Sequence, residues 1–270
     1  MKVDEILHSI TKKFKKTIYK RFIHAVDQYQ LIQEGDKIAV CISGGKDSFL
    51  LAKCMEVLKI HWNVDFDVEY ICMDPGYLPK NRKLIEENAK KLGIDLKIFT
   101  SPIFGIVNEI DKSPCYLCAR MRRGYLYEFA QSLGCNKIAL GHHFDDAIET
   151  TLLSMFYGGQ FKTMMPKLKS TSHKGIELIR PLYMVREEDI IHWVKYNNLK
   201  FLNCACAVVQ KVDEGMMSSK RKEIKQLIKT LKNSIPAVDN NIFKSLHSVC
   251  LDTVIGYKKG ENMHTFLEDY

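Results

Sequence analysis

No stretch of this 270-residue chain approaches the roughly 20 consecutive apolar residues that a membrane-spanning helix needs. The opening segment MKVDEILHSITKKFKK has neither the apolar core nor the small-residue cleavage site of a secretory leader, so the expectation is a cytoplasmic protein with no membrane partner. Internal repeats and low-complexity linkers are absent, which leaves one large domain or a domain with small appendages. The nine cysteines are odd in number. Cys41, Cys54 and Cys72 lie in apolar stretches, and a disulfide framework is not expected.

What is present is a soluble-type composition, 46% apolar, with a formal charge of +8 that is unevenly placed. Residues 1–24 hold seven Lys/Arg against two acids, and residues 211–232 hold seven against three. Two such segments suit a polyanionic partner; the alternative is two solvated amphipathic helices. In the first, Val3, Ile6, Ile10, Phe14, Ile18 and Phe22 recur at helical spacing, so one face packs against something.

Short apolar runs alternate with helical patterns. KIAVCI (37–42), DVEYICM (67–73), DLKIF (95–99) and KIAL (137–140) read as buried strands, with ELIRPL (177–182) as a fifth. The remainder reads as helix. The pattern predicts an α/β fold: a doubly wound parallel sheet of about five strands with helical N- and C-terminal segments. The expected divisions are a basic helical segment at 1–30, a main domain at 31–203 and a helical C-terminal region at 204–270. Ligands of such sheets sit past the carboxyl ends of the strands, which places loops 43–48, 74–79 and 141–146 at the expected site.

Three patterns there carry chemistry. Ser43-Gly44-Gly45-Lys46-Asp47-Ser48 joins a strand to a helix, and paired glycines let backbone N–H groups reach a phosphate at the helix start. Asp47 beside phosphates points to a divalent cation or a catalytic task. Gly141-His142-His143-Phe144-Asp145-Asp146 follows the fourth strand; Asp146 also suits an ordinary helix cap. Cys115 and Cys118 open a helix and are trailed by Arg120, Arg122 and Arg123, while Cys204 and Cys206 form a second close pair. Spacing alone leaves structural zinc, an iron–sulfur cluster and unligated thiols open.

The glycine loop resembles the pyrophosphate loop of the ATP pyrophosphatases. Together with PCYLCARMRRGYLYEFAQSLGCNKIALGHHFDDAIETTLLSMFYGG, the chain is similar over roughly residues 30–210 to the tRNA 2-thiocytidine synthetases, and more loosely to the tRNA 2-thiouridine synthetases. The resemblance implies an ATP-dependent thiotransferase that adenylates the 2-oxo group of an anticodon-loop cytidine in tRNA and then thiolates it. It implies ATP and Mg²⁺ at Ser43, Gly44, Gly45, Lys46, Asp47 and Ser48, with Asp47 as the catalytic carboxylate. Met73, Arg123, Gly141 and Asp146 complete the nucleotide contacts. It also implies a [4Fe–4S] cluster on Cys115, Cys118 and one distant cysteine, taken as Cys206 rather than Cys204. A sulfide donor (a cysteine desulfurase or free sulfide) and a homodimer are implied too. The alternatives are thiolation of another base and, more remotely, a zinc-containing RNA-binding protein without catalysis.

Overall fold

The structure, a computed structural model, describes residues 3–101, 103, 114–202 and 216–268, with side chains from 121 and from 220 onward in the last two stretches. By contact density it divides into two units, Met1–Ala147 with Met164–Lys220, and Ile148–Thr163 with Arg221–Tyr270.

The first unit is built on a six-stranded sheet: β1 (Asp36–Cys41), β2 (Phe66–Asp74), β3 (Leu96–Thr100), β4 (Lys137–Ala139), β5 (Lys167–Lys169) and β6 (Glu177–Ile179). The order is β3-β2-β1-β4-β6-β5, parallel except for β5, which runs against β6. The chain leaves β1 to build β2 and β3 on one side, then returns to place β4 on the other. The break in direction lies between β1 and β4, where a crevice opens at the carboxyl ends. The sheet has six strands rather than about five. The additional strand, Lys-Leu-Lys, is a largely polar edge and shows no apolar run.

Alternation along β1 explains the two covered faces. Ile38, Val40 and Ile42 point into one core with the N-terminal helices, α3 (Lys46–His61), α4 (Pro79–Leu92) and α7 (Glu187–Tyr196). Ala39 and Cys41 point into another, against Tyr127 and Ala130 of α5 (Pro114–Ser132). Cys41 and Cys54 are both buried, and burial pushes both thiols well above the ordinary range. These cysteines act as small apolar residues, as read from the sequence.

The N-terminal segment forms α1 (Val3–Thr11), a π-helical stretch (Lys15–Tyr19) and α2 (Lys20–Gln28). Its buried residues Ile6, Ile10, Phe14, Ile18 and Phe22 recur every four positions, wider than the 3.6 of an α-helix. The π turn, with Tyr19 N–H donating to the Phe14 carbonyl at 3.2 Å, takes up the difference and keeps one face on the core.

α6 (Phe144–Gly158) begins in the first unit and ends in the second. The second unit also holds most of α8 (Met216–Ser234), α9 (Val238–Ser245) and a hairpin of β7 (Gly256–Lys259) and β8 (Asn262–Thr265). Its buried Glu149 lies 3.6 Å from both Arg221 and Lys225 of α8. The hairpin departs from the expectation of a purely helical C-terminal segment. Its strands are exposed and lack apolar alternation; only Gly260, at φ +64° in the two-residue turn, marks it. Among the described residues, no helix is long and apolar enough to cross a membrane.

Candidate active site

A cavity of about 320 Å³ opens at the crevice between β1 and β4. Ser43, Asp47 and Ser48 form one wall, Leu140, Gly141, His142 and Asp146 another, and Met73 and Tyr77 a third. The three loops expected at the strand ends therefore converge on one space.

The first wall is set by Gly44. Its φ of +88° is a left-handed conformation, and an added Cβ would sit 2.9 Å from both Ile85 and Leu202 side chains. The Ser48 hydroxyl closes the loop, donating to the Gly45 carbonyl at 2.9 Å and accepting the Ser43 N–H at 3.2 Å. Gly45 is different: its φ is an ordinary −84° and a Cβ there would make only ordinary contacts, the nearest at 3.7 Å. The fold itself does not demand glycine at 45. As N-cap of α3 it has no capping side chain, so the first-turn N–H groups remain available to an external acceptor.

The second wall is pressed onto the first. A Cβ on Gly141 would lie 3.0 Å from Asp47 C and Ser48 N, both backbone atoms. Gly141→Ala is therefore expected to cost about 1–3 kcal/mol through overpacking. It should also weaken nucleotide binding, as isothermal titration and urea denaturation would show. Asp146 accepts the His143 N–H at 3.1 Å and its own N–H faces His143 Nδ1 at 3.4 Å, a reciprocal cap at the start of α6. It both caps the helix and lines the cavity. Arg180 Nε points at His142 Nδ1 at 3.3 Å and orients that ring.

The third wall depends on Asp74. Its Oδ1 accepts the N–H groups of Gly76 and Tyr77 at 2.8 and 2.7 Å, and Arg82 donates to Oδ2 at 2.7 Å. Burial would raise this carboxyl's pKa, but those three donors outweigh it and hold it below the ordinary range. A depressed carboxyl contributes stability that is present above the unfolded pKa, near 4, and lost as pH falls through the folded value. Asp74→Ala should thus lose about 1–3 kcal/mol at pH 7 and progressively less in acid. Urea titrations at pH 7 and pH 3 check this.

Lys46 Nζ sits 3.1 Å from Asp47 Oδ1 and 3.1 Å from Glu187 Oε1, at the start of α7. Burial lowers its pKa, yet the two carboxylates outweigh that and hold it above the ordinary lysine value. Its side chain is not part of the cavity lining. Arg123 is exposed and does not line the cavity either; its neighbour Arg122 does, together with Leu126.

The PP-loop domain profile matches residues 10–211. The tRNA-cytidine(32) 2-sulfurtransferase of Geotalea uraniireducens is 40% identical over 236 residues, covering 86% of this chain and 91% of that protein. Its counterpart in Aeromonas hydrophila is 36% identical over 252 residues, 91% and 80% of the respective chains. The chain belongs to the tRNA-cytidine 2-sulfurtransferase family. In fold it is similar to the U34-tRNA thiolase NcsA from Methanococcus maripaludis with its [4Fe-4S] cluster, with a TM-score of 0.65 over 89% of this chain and 80% of that one at 20% identity.

In this sulfurtransferase the candidate cluster ligands fall outside what the structure describes: Cys204 and Cys206 entirely, and Cys115 and Cys118 in their side chains. The backbone of α5 is described, and positions three apart in its first turn share a face. Among the described residues there is no group of three or more metal-ligating side chains. Sequence reasoning missed Tyr77, Leu126 and Glu187. Leu126 was findable, four residues after Arg122 on one helix. Tyr77 and Glu187 carried no local signal.

Proposed function

We propose that this chain uses ATP to activate the 2-oxo group of a tRNA anticodon-loop cytidine, position 32 in the relatives' name, and replaces that oxygen with sulfur. The observation that carries the reading is the cavity at the β1/β4 crevice, walled by the Ser43–Ser48 loop and by Gly141 and Asp146, in a chain of this family.

The residues fit a nucleoside triphosphate. A glycine at 45 that the fold does not need, and first-turn N–H groups of α3 beside it, suit phosphate oxygens. The Ser43 hydroxyl can turn from Ser48 Oγ, 3.3 Å away, to add a donor, Ser48 holds the loop closed, and Gly44, Lys46 and Asp47 complete it; Asp47 would hold Mg²⁺, whose charge would offset that of the phosphates. Met73 borders the nucleoside side. Asp47 is the carboxylate of the reaction. Adenylation makes AMP the leaving group in place of oxide, which is why ATP is consumed. A sulfide, from a cysteine desulfurase or free in solution, then displaces AMP.

Cys115, Cys118 and Cys206 would hold a [4Fe–4S] cluster, since thiolates are the donors such clusters take. When bound through three cysteines, the cluster supplies a place to hold a sulfide for transfer. The test is mass spectrometry of tRNA nucleosides from cells with and without this protein; 2-thiocytidine should appear only with it. A change in 2-thiouridine alone would redirect the reading to another base.

The tRNA would be met by the basic segments. Lys12, Lys13, Lys15 and Lys16 are exposed, whereas Arg21 is paired with Asp189 at 2.9 Å. Replacing the four lysines by Glu should weaken tRNA binding about tenfold or more, flatten its salt dependence and leave ATP binding unchanged. Filter binding at several salt concentrations checks this.

A further inference from the structure

We propose that Glu187 is a positioning residue: it tethers Lys46 from outside the cavity and so leaves Asp47 available to the reacting groups. The proposal rests on the functional reading above, in which Asp47 is the carboxylate of the reaction.

The geometry is a three-helix junction. Lys46 is the first residue of α3, Asp145 lies in the first turn of α6 and Glu187 opens α7. Lys46 Nζ bridges Glu187 Oε1 at 3.1 Å and Asp47, at 3.1 Å from Oδ1 and 3.2 Å from Oδ2. Glu187 is itself fixed, because its backbone N–H donates to Asp145 Oδ2 at 2.7 Å. The helix behind it is anchored by Ile190 and Trp193, both with no exposed surface. The loop lysine thus has one carboxylate at the cavity and one behind it.

That arrangement has a chemical consequence. An ammonium shared between two carboxylates offsets each only in part. Asp47 Oδ1 is shielded from solvent and, among the described residues, is met by the Lys46 ammonium at 3.1 Å without an aligned hydrogen bond. If the Glu187 charge is removed, the ammonium, already 3.1 and 3.2 Å from the two Asp47 oxygens, is no longer shared and holds that carboxylate more tightly, taking it out of use. A partly exposed ion pair of this kind contributes little to stability. Its role is to decide where Lys46 sits. Nothing near residue 187 announces this in the sequence, since the contact spans 141 positions.

The test uses the intact holoprotein and four forms: wild type, Glu187→Gln, Lys46→Met and the double variant. Binding of a non-hydrolysable ATP analogue with Mg²⁺ gives Kd, and tRNA-dependent pyrophosphate release gives kcat and KM. Glu187→Gln is expected to keep Kd and KM for ATP within about threefold while kcat falls at least about tenfold. The double variant should lose no more than Lys46→Met alone, because Glu187 acts through that lysine. Glu187→Asp, which keeps the charge but is one methylene shorter, should recover part of the loss. An active wild type whose Glu187→Gln form keeps its kcat, or additive losses in the double variant, overturns the assignment alone. A wild type that releases no pyrophosphate with tRNA overturns the functional reading and this role with it. A lowered melting temperature with unchanged kcat shows a purely structural contact and also overturns it.

Discussion

Asp47→Ala is expected to reduce 2-thiocytidine formation by on the order of 10²–10⁴-fold while leaving measurable ATP binding. The split follows from where the contacts come from. In the proposed reading phosphate would be held by backbone N–H groups at the start of α3 and by the Ser43 hydroxyl, in a loop that Ser48 closes, and the substitution removes none of these. Asp47 contributes a carboxylate that lines the cavity, with the Lys46 ammonium 3.1 Å from Oδ1. Removing that carboxylate leaves Lys46 still paired with Glu187, so the loop keeps that anchor. Isothermal titration with a non-hydrolysable analogue measures the surviving affinity, and nucleoside mass spectrometry measures the product. The wild-type reaction should release AMP and pyrophosphate. Stoichiometric ADP, or full thiolation by Asp47→Ala, would remove the carboxylate from this chemistry.

The parts of this site that were legible in the sequence share a cause. Buried parallel strands are continuous apolar runs, so KIAVC and YICM declare themselves, and the loops that follow them must meet at one edge of the sheet. Gly44 and Gly141 were legible because a glycine at a strand end signals close backbone approach, and both turn out to be sterically required. The parts that were not legible depend on helix phase or on distance along the chain. A single step along a helix rotates a side chain by about 100°. Arg122 and Arg123 were therefore both candidates for phosphate or tRNA, with Arg123 taken for the nucleotide, whereas it is Arg122 that lines the cavity, beside Leu126. β5 and the C-terminal hairpin are polar, exposed strands that bury too little to leave an apolar signature. Glu187 reaches Lys46 through the tertiary fold alone.

The cysteine variants should separate into two groups. Cys115→Ala, Cys118→Ala and Cys206→Ala are each expected to lose iron and thiolation together, whereas Cys204→Ala should keep both. Protein purified without oxygen should carry about four irons per chain and absorb broadly in the visible. The asymmetry between 204 and 206 is forced by the chemistry and not by direction along the chain. Residues two apart in an extended stretch face the same side, so orientation does not choose between them. Ligation by both, together with the pair on α5, would occupy all four irons and leave no place for a sulfide. In the proposed reading one of the two would have to stay off the cluster, and Cys206, the nearer to the basic helix α8, is the better candidate. The remaining buried cysteines supply the control. Burial pushes the Cys72 thiol up to about 12 and that of Cys135 up to about 11, and both sit in packed cores. Thiols held protonated in this way are poor ligands. Cys72→Ala and Cys135→Ala should therefore leave the iron content at the wild-type level even where they lower the melting temperature. Exchanged results for Cys204 and Cys206 would move the third ligand by two residues and keep the mechanism. Tightly bound zinc lost from all four variants, with no iron at any stage, would make the site structural and remove the sulfide-holding role altogether.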